Sequence, residues 1–195
     1  MDPLLDDKSD DRYVLFPIKS EAIWKLYKKH VDSFWRAEEI DLSKDANDWL
    51  SLSDNERDFT LSVLAFFAAS DGIVGENLAM RFYNDVKLPE ARSFYAFQIM
   101  MEHIHSETYS ILIDTFGGKK KKQLFKATEN YPCIKQKAEW AKKYIEGDQP
   151  FEERLIAFAC VEGIFFSGAF CSIFWLNILC KYKKSLSFFC LIIFL

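Results

Sequence analysis

A long apolar segment limits the folds open to this chain more than any other feature. Between residues 155 and 176 the only charged side chain is Glu162. By length the segment could span a bilayer, but a lipid-facing carboxylate near its middle would be costly. A carboxylate buried in protein needs a cationic partner, or it has to protonate. We therefore interpret residues 151–180 as a central helix surrounded by protein, whose acid faces a metal ion or a charged partner.

Most of the remaining chain also has the pattern of long helices. Helices are predicted over residues 20–35, 53 to about 86, 89 to 117–118, 132–147 and 151–180. Ser53 and Glu56 have the spacing of a capping box at a helix start, and Pro89 suits a first helical turn. The sequence has only 7 Gly and 5 Pro and no alternating strand pattern. Long helices joined by short loops predict an all-α bundle.

Charge and cysteine content argue against several functional classes. The net charge of −4 gives no general attraction to nucleic acid or to an anionic membrane. The lysines at 119–122 are interpreted as a solvated turn, since a binding patch would need more basic neighbours. The 5 cysteines form no C-x-x-C pair, and the first residues are acidic, unlike a signal peptide. We expect a cytoplasmic protein with an extended arm (1–19), a helical domain (20–180) and an apolar tail (181–195).

The segment MEHIHSETY, residues 101–109, concentrates ionisable side chains within an apolar helix. At about 100° per residue, Glu102, His105 and Tyr109 share one helical face, and His103 points elsewhere. A Glu and a His three positions apart can present a carboxylate and an imidazole to one metal ion. Alone, however, this spacing more often belongs to a surface salt bridge or a core histidine.

Two further acids favour a metal site. Asp71 lies in the apolar stretch AFFAASDGIV, and Glu162 lies in ACVEGIFFSGAF. Three acids and one histidine on three apolar helices are hard to bury separately, whereas a divalent cation neutralises them together. Carboxylates with imidazole and no thiolate favour iron or manganese over structural zinc. Tyr109 would place its phenol near the metal. Phe166 and Phe170 follow Glu162 at i+4 and i+8, a spacing that core packing explains equally well.

Five blocks of the sequence occur in the order of one known protein family. They are DDRYVLFPIK, FWRAEEIDLSKD, FFAASDGIV, HIHSETYSILIDTF and FACVEGIFFSGAFCSIFWL, which together cover roughly residues 10–176. On these blocks the chain resembles the small, radical-generating subunit of class I ribonucleotide reductase in its eukaryotic form. The resemblance implies a ferritin-like helical bundle and an oxidoreductase function in deoxyribonucleotide biosynthesis.

The resemblance implies a metal-binding role for four residues. Asp71, Glu102 and His105 would bind the first iron of an oxygen-reacting di-iron centre. Glu102 would bridge the two irons, and Glu162 would bind the second.

The resemblance also implies a radical and its partners. Tyr109 would be oxidised to a stable tyrosyl radical in a pocket formed by Phe166 and Phe170, with Asp71 close to the phenol. Trp35, in FWRAEEIDLSKD, would relay an electron during cofactor assembly and radical transfer. The radical would serve a separate large subunit that reduces ribonucleoside diphosphates. Small subunits of this family form homodimers.

The sequence departs from the family pattern in its histidines. The family has a second Glu-x-x-His on a later helix, whereas the only histidines here are His30, His103 and His105. The likeness ends after Leu176, so we expect a bundle without its carboxyl-terminal helices and partial exposure of the face of residues 151–180. We expect a truncated product that holds fewer than two irons per chain and forms no stable tyrosyl radical.

Three other functions are compatible with these residues. The chain could be a catalytically inactive fragment that pairs with an intact small subunit. It could be another ferritin-like carboxylate protein, such as an iron store or an oxidase, although the blocks around Tyr109 and Trp35 argue against this. It could also be a membrane protein built on residues 155–176.

Overall fold

The computed structural model describes residues 4–5 and 14–182, and this part is built from helices without any strand. The α-helices are α1 (Glu21–Asp32), α2 (Ala46–Ser51), α3 (Asp54–Asn77), α4 (Tyr83–Asp85), α5 (Pro89–Phe116), α6 (Lys121–Leu124), α7 (Ala127–Asn130), α8 (Pro132–Glu146), α9 (Phe151–Cys160) and α10 (Ser167–Tyr182). Between them lie the 3₁₀ turns Ala37–Glu39, Leu42–Lys44 and Gly118–Lys120 and the π-helical turns Leu78–Phe82 and Val161–Phe165. Most of the predicted arm (1–3 and 6–13) and the tail from residue 183 lie outside the described residues.

The first helix is shorter than the sequence predicts. Ser20 caps the start of α1. The helix ends at Asp32 instead of Trp35, because the amide and the hydroxyl of Ser33 both donate to the His30 carbonyl, at 3.0 and 2.8 Å. The chain leaves the helix axis at this point, and Trp35 is buried.

The predicted capping box at the start of α3 is confirmed. The Ser53 hydroxyl accepts a hydrogen bond from the Glu56 amide at 3.3 Å, and the Ser53 amide donates to the Glu56 carboxylate at 2.7 Å. The helix predicted to about residue 86 continues from α3 through the π-helical turn Leu78–Phe82 into α4. A π-helical turn closes each hydrogen bond over one more residue than an α-helix does, so α-helical periodicity does not detect it.

Removal of this cap has a measurable consequence. Ser53→Ala is expected to lower the free energy of unfolding by about 1 kcal/mol, because it leaves an amide at the start of a long core helix unpaired. Urea unfolding followed by circular dichroism measures the loss. The control is Ser62→Ala on the same helix, where the hydroxyl donates to the Asp58 carbonyl one turn earlier. Equal losses in the two variants would contradict a capping role for Ser53.

The long helices α3 and α5 form the central pair of the core. A Cβ atom built on Gly75 of α3 would lie 3.6 Å from the Cβ of Glu102 on α5, so the two backbones approach closely at this level. Leu64 and Phe67 on α3 are almost completely buried. Helices α8 and α10 pack against α3, and α1 packs against α5. Two predicted ligand acids, Asp71 on α3 and Glu102 on α5, are buried within this packed core.

The segment of residues 151–176 is buried on one side only. Ala157, Phe166 and Ile173 face the core, whereas Ile156 and Ile164 are 67% and 65% exposed. The expectation of a helix surrounded by protein is therefore wrong for the described chain, because no described element covers this outer face. The expected partial exposure of an apolar face is observed.

Two helical stretches could cross a membrane by length and composition alone, Asp54–Asp85 and Phe151–Leu176. Core helices of soluble proteins pass the same test, so this is weak evidence for a span. Each stretch also carries an acid within its apolar part, Asp71 in the first and Glu162 in the second, which a lipid environment would disfavour.

The lysines at 119–122 follow a glycine turn. Gly118 has a φ of +50°, in the left-handed region that favours glycine. Two of these lysines, Lys120 and Lys121, form exposed ion pairs with Asp58 and Asp114, each at 2.6 Å. These pairs fit a solvated turn, because two of the four lysines are already paired with acidic side chains.

Candidate metal centre

Three predicted ligands from two helices meet in the interior. One ligand atom from each of Asp71, Glu102 and His105 lies within 4.8 Å of the other two. His105 Nδ1 lies 3.2 Å from Glu102 Oε2 on the same helix, α5. Asp71 comes from α3, which packs against α5. The structure thus brings together the Glu-x-x-His pair and the acid of the apolar stretch, and their binding of metal stays a prediction.

Glu162 faces the same cavity from a third segment. It lies in the π-helical turn Val161–Phe165, between α9 and α10. The cavity has a volume of about 530 Å³ and is lined by Glu162 together with the three clustered side chains. Glu162 is not a member of that close group, but it is near enough for the charge of Glu102 to raise its pKa. His103 is exposed, in agreement with the helical wheel.

Several ligand atoms of these side chains are buried without a hydrogen bond. They are Oδ2 of Asp71, Nε2 of His105 and Oε1 of Glu162, which have no partner among the described residues. Buried polar atoms are nearly always paired in folded proteins, so three orphans around one cavity indicate a missing partner. Carboxylate oxygens and imidazole nitrogens are ligands that iron and manganese accept. The residues present therefore fit a divalent transition metal.

Two acids of the site, Asp71 and Glu162, bind protons more tightly than ordinary carboxylates. Burial raises the pKa of Asp71 well above its usual range, and the charges of Glu102 and Glu162 raise it further. Burial, followed by the charge of Glu102, raises the pKa of Glu162 to about 8. The common cause is that several carboxylates share one interior of low dielectric constant. A bound divalent cation would lower the pKa of each carboxylate ligand, because it favours the ionised form.

Tyr109 lies beside these acids and is buried in an aromatic wall. It is 2% exposed, and its ring stacks on Phe67 with centroids 5.0 Å apart and 8° between the ring planes. Burial, followed by the charges of Asp71 and Glu102, raises the pKa of Tyr109 well above its usual range. The phenol therefore keeps its proton at neutral pH.

The predicted pocket residues Phe166 and Phe170 also pack on Phe67, with centroids 5.6 and 5.2 Å away. Phe67 thus lies between them and Tyr109. The sequence prediction did not select Phe67, although it is the central ring of the wall. The available signal was its position four residues before Asp71 on α3, since residues i and i+4 lie on one helical face.

Trp35 lies against the imidazole of the site. Its ring stacks on His105 with centroids 5.7 Å apart and 20° between the planes. It is 8% exposed and lines the same cavity. The stack puts an oxidisable indole in direct contact with a predicted ligand, and the relay role of Trp35 stays a prediction.

The sequence matches the family "Ribonucleotide reductase, small chain" over residues 12–193. The ribonucleoside-diphosphate reductase small chain of Yaba-like disease virus is 63% identical, over 86% of this chain and 52% of the viral protein. The small subunit of Dictyostelium discoideum is 61% identical, over 91% of this chain and 53% of its own length. The chain therefore spans about half the length of the curated relatives it matches.

Solved structures have the same fold. The Rnr4 homodimer of Saccharomyces cerevisiae has a TM-score of 0.78 and 43% identity, covering 89% of this chain and 55% of the yeast chain. The dimanganese(II)-NrdF of Streptococcus sanguinis has a TM-score of 0.77 and 23% identity, covering 84% of this chain and 58% of its own, a likeness of fold alone. The predicted ferritin-like helical bundle is thus confirmed. With the family match over residues 12–193, the chain belongs to the ribonucleotide reductase small-chain family.

Proposed function

We propose that this chain supplies the metal-binding and radical-bearing part of a ribonucleoside-diphosphate reductase small subunit. The main support is one cavity that contains unpaired ligand atoms of Asp71, His105 and Glu162 next to the buried phenol of Tyr109. An iron store needs the ligands but not a tyrosine enclosed by aromatic rings. The family match is a second and separate argument for a reductase subunit over an iron store.

Iron is the metal in this proposal. Asp71, Glu102 and His105 would hold one ion, and Glu162 would contribute to a second. When bound, iron that reacts with oxygen would supply the oxidising equivalent for Tyr109. The three acids provide negative charge that a dication neutralises.

Tyr109 is suited to lose an electron in a site where its ring is almost completely buried. Its phenol is protonated at neutral pH, so its oxidation has to remove a proton as well. Asp71 is the acid whose charge acts most strongly on the phenol, and its carboxylate, once ionised by a bound metal, is the proposed proton acceptor. Phe67 covers one ring face and would keep small reductants from it.

Electron delivery and assembly complete the proposal. Trp35 would pass electrons through its stack on His105. We propose a large catalytic subunit as the user of the radical. We also propose association of two small subunits, which the homodimeric arrangement of yeast Rnr4 supports.

Iron loading under oxygen tests the proposal. Ferrous iron is added to the purified protein and to Tyr109→Phe, and both are measured by iron analysis and electron paramagnetic resonance. Under this proposal both proteins bind iron and only the wild type gives a tyrosyl signal, whereas the sequence alone leads us to expect no stable radical. Ribonucleotide reduction after addition of a large subunit would extend the result to activity. Failure to bind iron would contradict the proposal at its first step.

A second candidate is a metal-binding chain that forms no stable radical. It is favoured by the single Glu-x-x-His in the sequence and by a close ligand group limited to Asp71, Glu102 and His105 among the described residues. This candidate predicts about one iron per chain, no tyrosyl signal and no rescue of activity by a large subunit. The same iron and resonance measurements therefore separate the two candidates.

A further inference from the structure

Lys137 on α8 contacts the turn that carries Glu162. Its ammonium group donates a hydrogen bond to the Phe165 carbonyl at 3.0 Å. Phe165 is the last residue of the π-helical turn Val161–Phe165. One turn further along α8, the ring of Trp140 packs on the ring of Phe165 with centroids 5.1 Å apart. Two side chains of one helical face therefore hold the end of this turn.

The same ammonium group also contacts the aromatic wall. It lies 4.3 Å from the ring centroid of Phe66 and 5.5 Å from that of Phe165. Such cation–π contacts are attractive, and more so when the cation is partly desolvated. Phe66 in turn packs on Phe166, with centroids 5.3 Å apart. Lys137 thus links α8, α3 and the π-helical turn at one point.

The π-helical turn determines where Glu162 points. The wider repeat of this turn changes the direction of its side chains relative to the helices on either side. Relaxation of Val161–Phe165 to the α-helical repeat would rotate Glu162 relative to α10. A hydrogen bond from a charged donor is stronger than one between neutral groups. The contact between Lys137 and the Phe165 carbonyl is therefore placed to stabilise the wider turn.

We propose that Lys137 is a positioning residue that holds the π-helical turn and thereby directs the Glu162 carboxylate into the metal cavity. The inference rests on the proposed metal-binding function. The contacts of neighbouring Lys135 are different, since it is exposed and pairs with Glu139 on its own helix at 3.8 Å. Lys135 therefore offers a matched control on the same helix.

Hydrogen exchange of the metal-free protein tests the local part of this proposal. Lys137→Met keeps most of the apolar stem but removes the charged donor. We expect amides of residues 161–170 to exchange about tenfold faster in this variant, as for the loss of one charge-assisted hydrogen bond. Lys137→Arg should restore slow exchange, and Lys135→Met should leave it unchanged. If the amides of residues 161–170 exchange in Lys137→Met at the wild-type rate, and the remaining amides are also unchanged, the proposal is overturned.

Cobalt binding tests whether the turn acts through Glu162. Co²⁺ titrations followed by visible absorption are compared for the wild type, Lys137→Met, Glu162→Gln and the double variant. We expect Lys137→Met to weaken binding about tenfold, as for loss of an outer partner of a metal ligand. In the Glu162→Gln background the same change should have no further effect. Equal losses in both backgrounds would mean that Lys137 acts on general stability, and would overturn its positioning role.

The two experiments also separate this inference from the proposed function. Absence of Co²⁺ binding in the wild type would contradict the proposed function, and hydrogen exchange would still decide whether Lys137 holds the turn. Wild-type Co²⁺ binding with no effect of Lys137→Met would leave the metal site in place and overturn the inference.

Discussion

His105→Ala is expected to weaken Co²⁺ binding by more than about 100-fold, because loss of a ligand exceeds the 10–100-fold typical of loss of an outer partner. His105 provides the only imidazole of the close ligand group among the described residues. Its Nε2 is buried without a partner, and its Nδ1 lies beside the Glu102 carboxylate. Isothermal titration calorimetry of the two proteins measures the difference.

The neighbouring His103 offers the matched control for this prediction. It lies on the same helix, two residues away, and is exposed. His103→Ala should bind Co²⁺ as the wild type does. Similar losses for His103→Ala and His105→Ala would show that binding occurs at the surface, and would contradict the interior site.

Metal-free protein is expected to lose stability as the pH rises from about 4.5 to about 8. Glu162 has a pKa of about 8 in the folded protein, against 4.5 as its ordinary value. Within this window the unfolded chain has released the proton that the folded protein still holds. The free energy of unfolding therefore falls with rising pH, by about 1.4 kcal/mol per pH unit from this group. Asp71 changes stability in the same direction, since burial also raises its pKa.

Urea unfolding at several pH values measures this dependence. The control is Glu162→Gln, which has no titrating group at this position and should lose less stability between pH 5 and pH 8. The difference between the two pH slopes isolates Glu162 from the surface carboxylates. Saturating Co²⁺ should reverse the sign, because the cation binds the ionised acids and competes with protons. Parallel slopes for the wild type and Glu162→Gln would contradict a raised pKa at Glu162.

Local signals predicted the helices of this fold well. The capping box at Ser53 and Glu56 and the first-turn proline at Pro89 depend on neighbouring residues alone, and both helix starts agree with the structure. The predicted end of α1 at Trp35 was wrong, because two hydrogen bonds from Ser33 to the His30 carbonyl end the helix earlier. The sequence alone does not show whether the hydroxyl of a serine will donate to a carbonyl of the preceding helical turn.

The site was predictable to the extent that it lies on single helices. Glu102, His105 and Tyr109 share a face of one helix, so spacing alone selects them. The meeting of Asp71 with this face depends on packing of two helices, and it was suggested by the cost of burying an acid and by the family resemblance. Phe67 and Lys137 act through contacts between distant segments; the i+4 spacing to Asp71 is a weak signal for Phe67, and Lys137 has no distinguishing pattern.

The stack of Tyr109 on Phe67 limits the motion of the phenol. A buried ring with another ring parallel to its face cannot turn about its Cβ–Cγ bond unless Phe67 moves aside. The torsion between the ring and its β-hydrogens therefore has a single value. In an oxidised tyrosine the hyperfine coupling to those hydrogens depends on this torsion. The packing of α3 on α5, which places Phe67, would thus determine the shape of the resonance line.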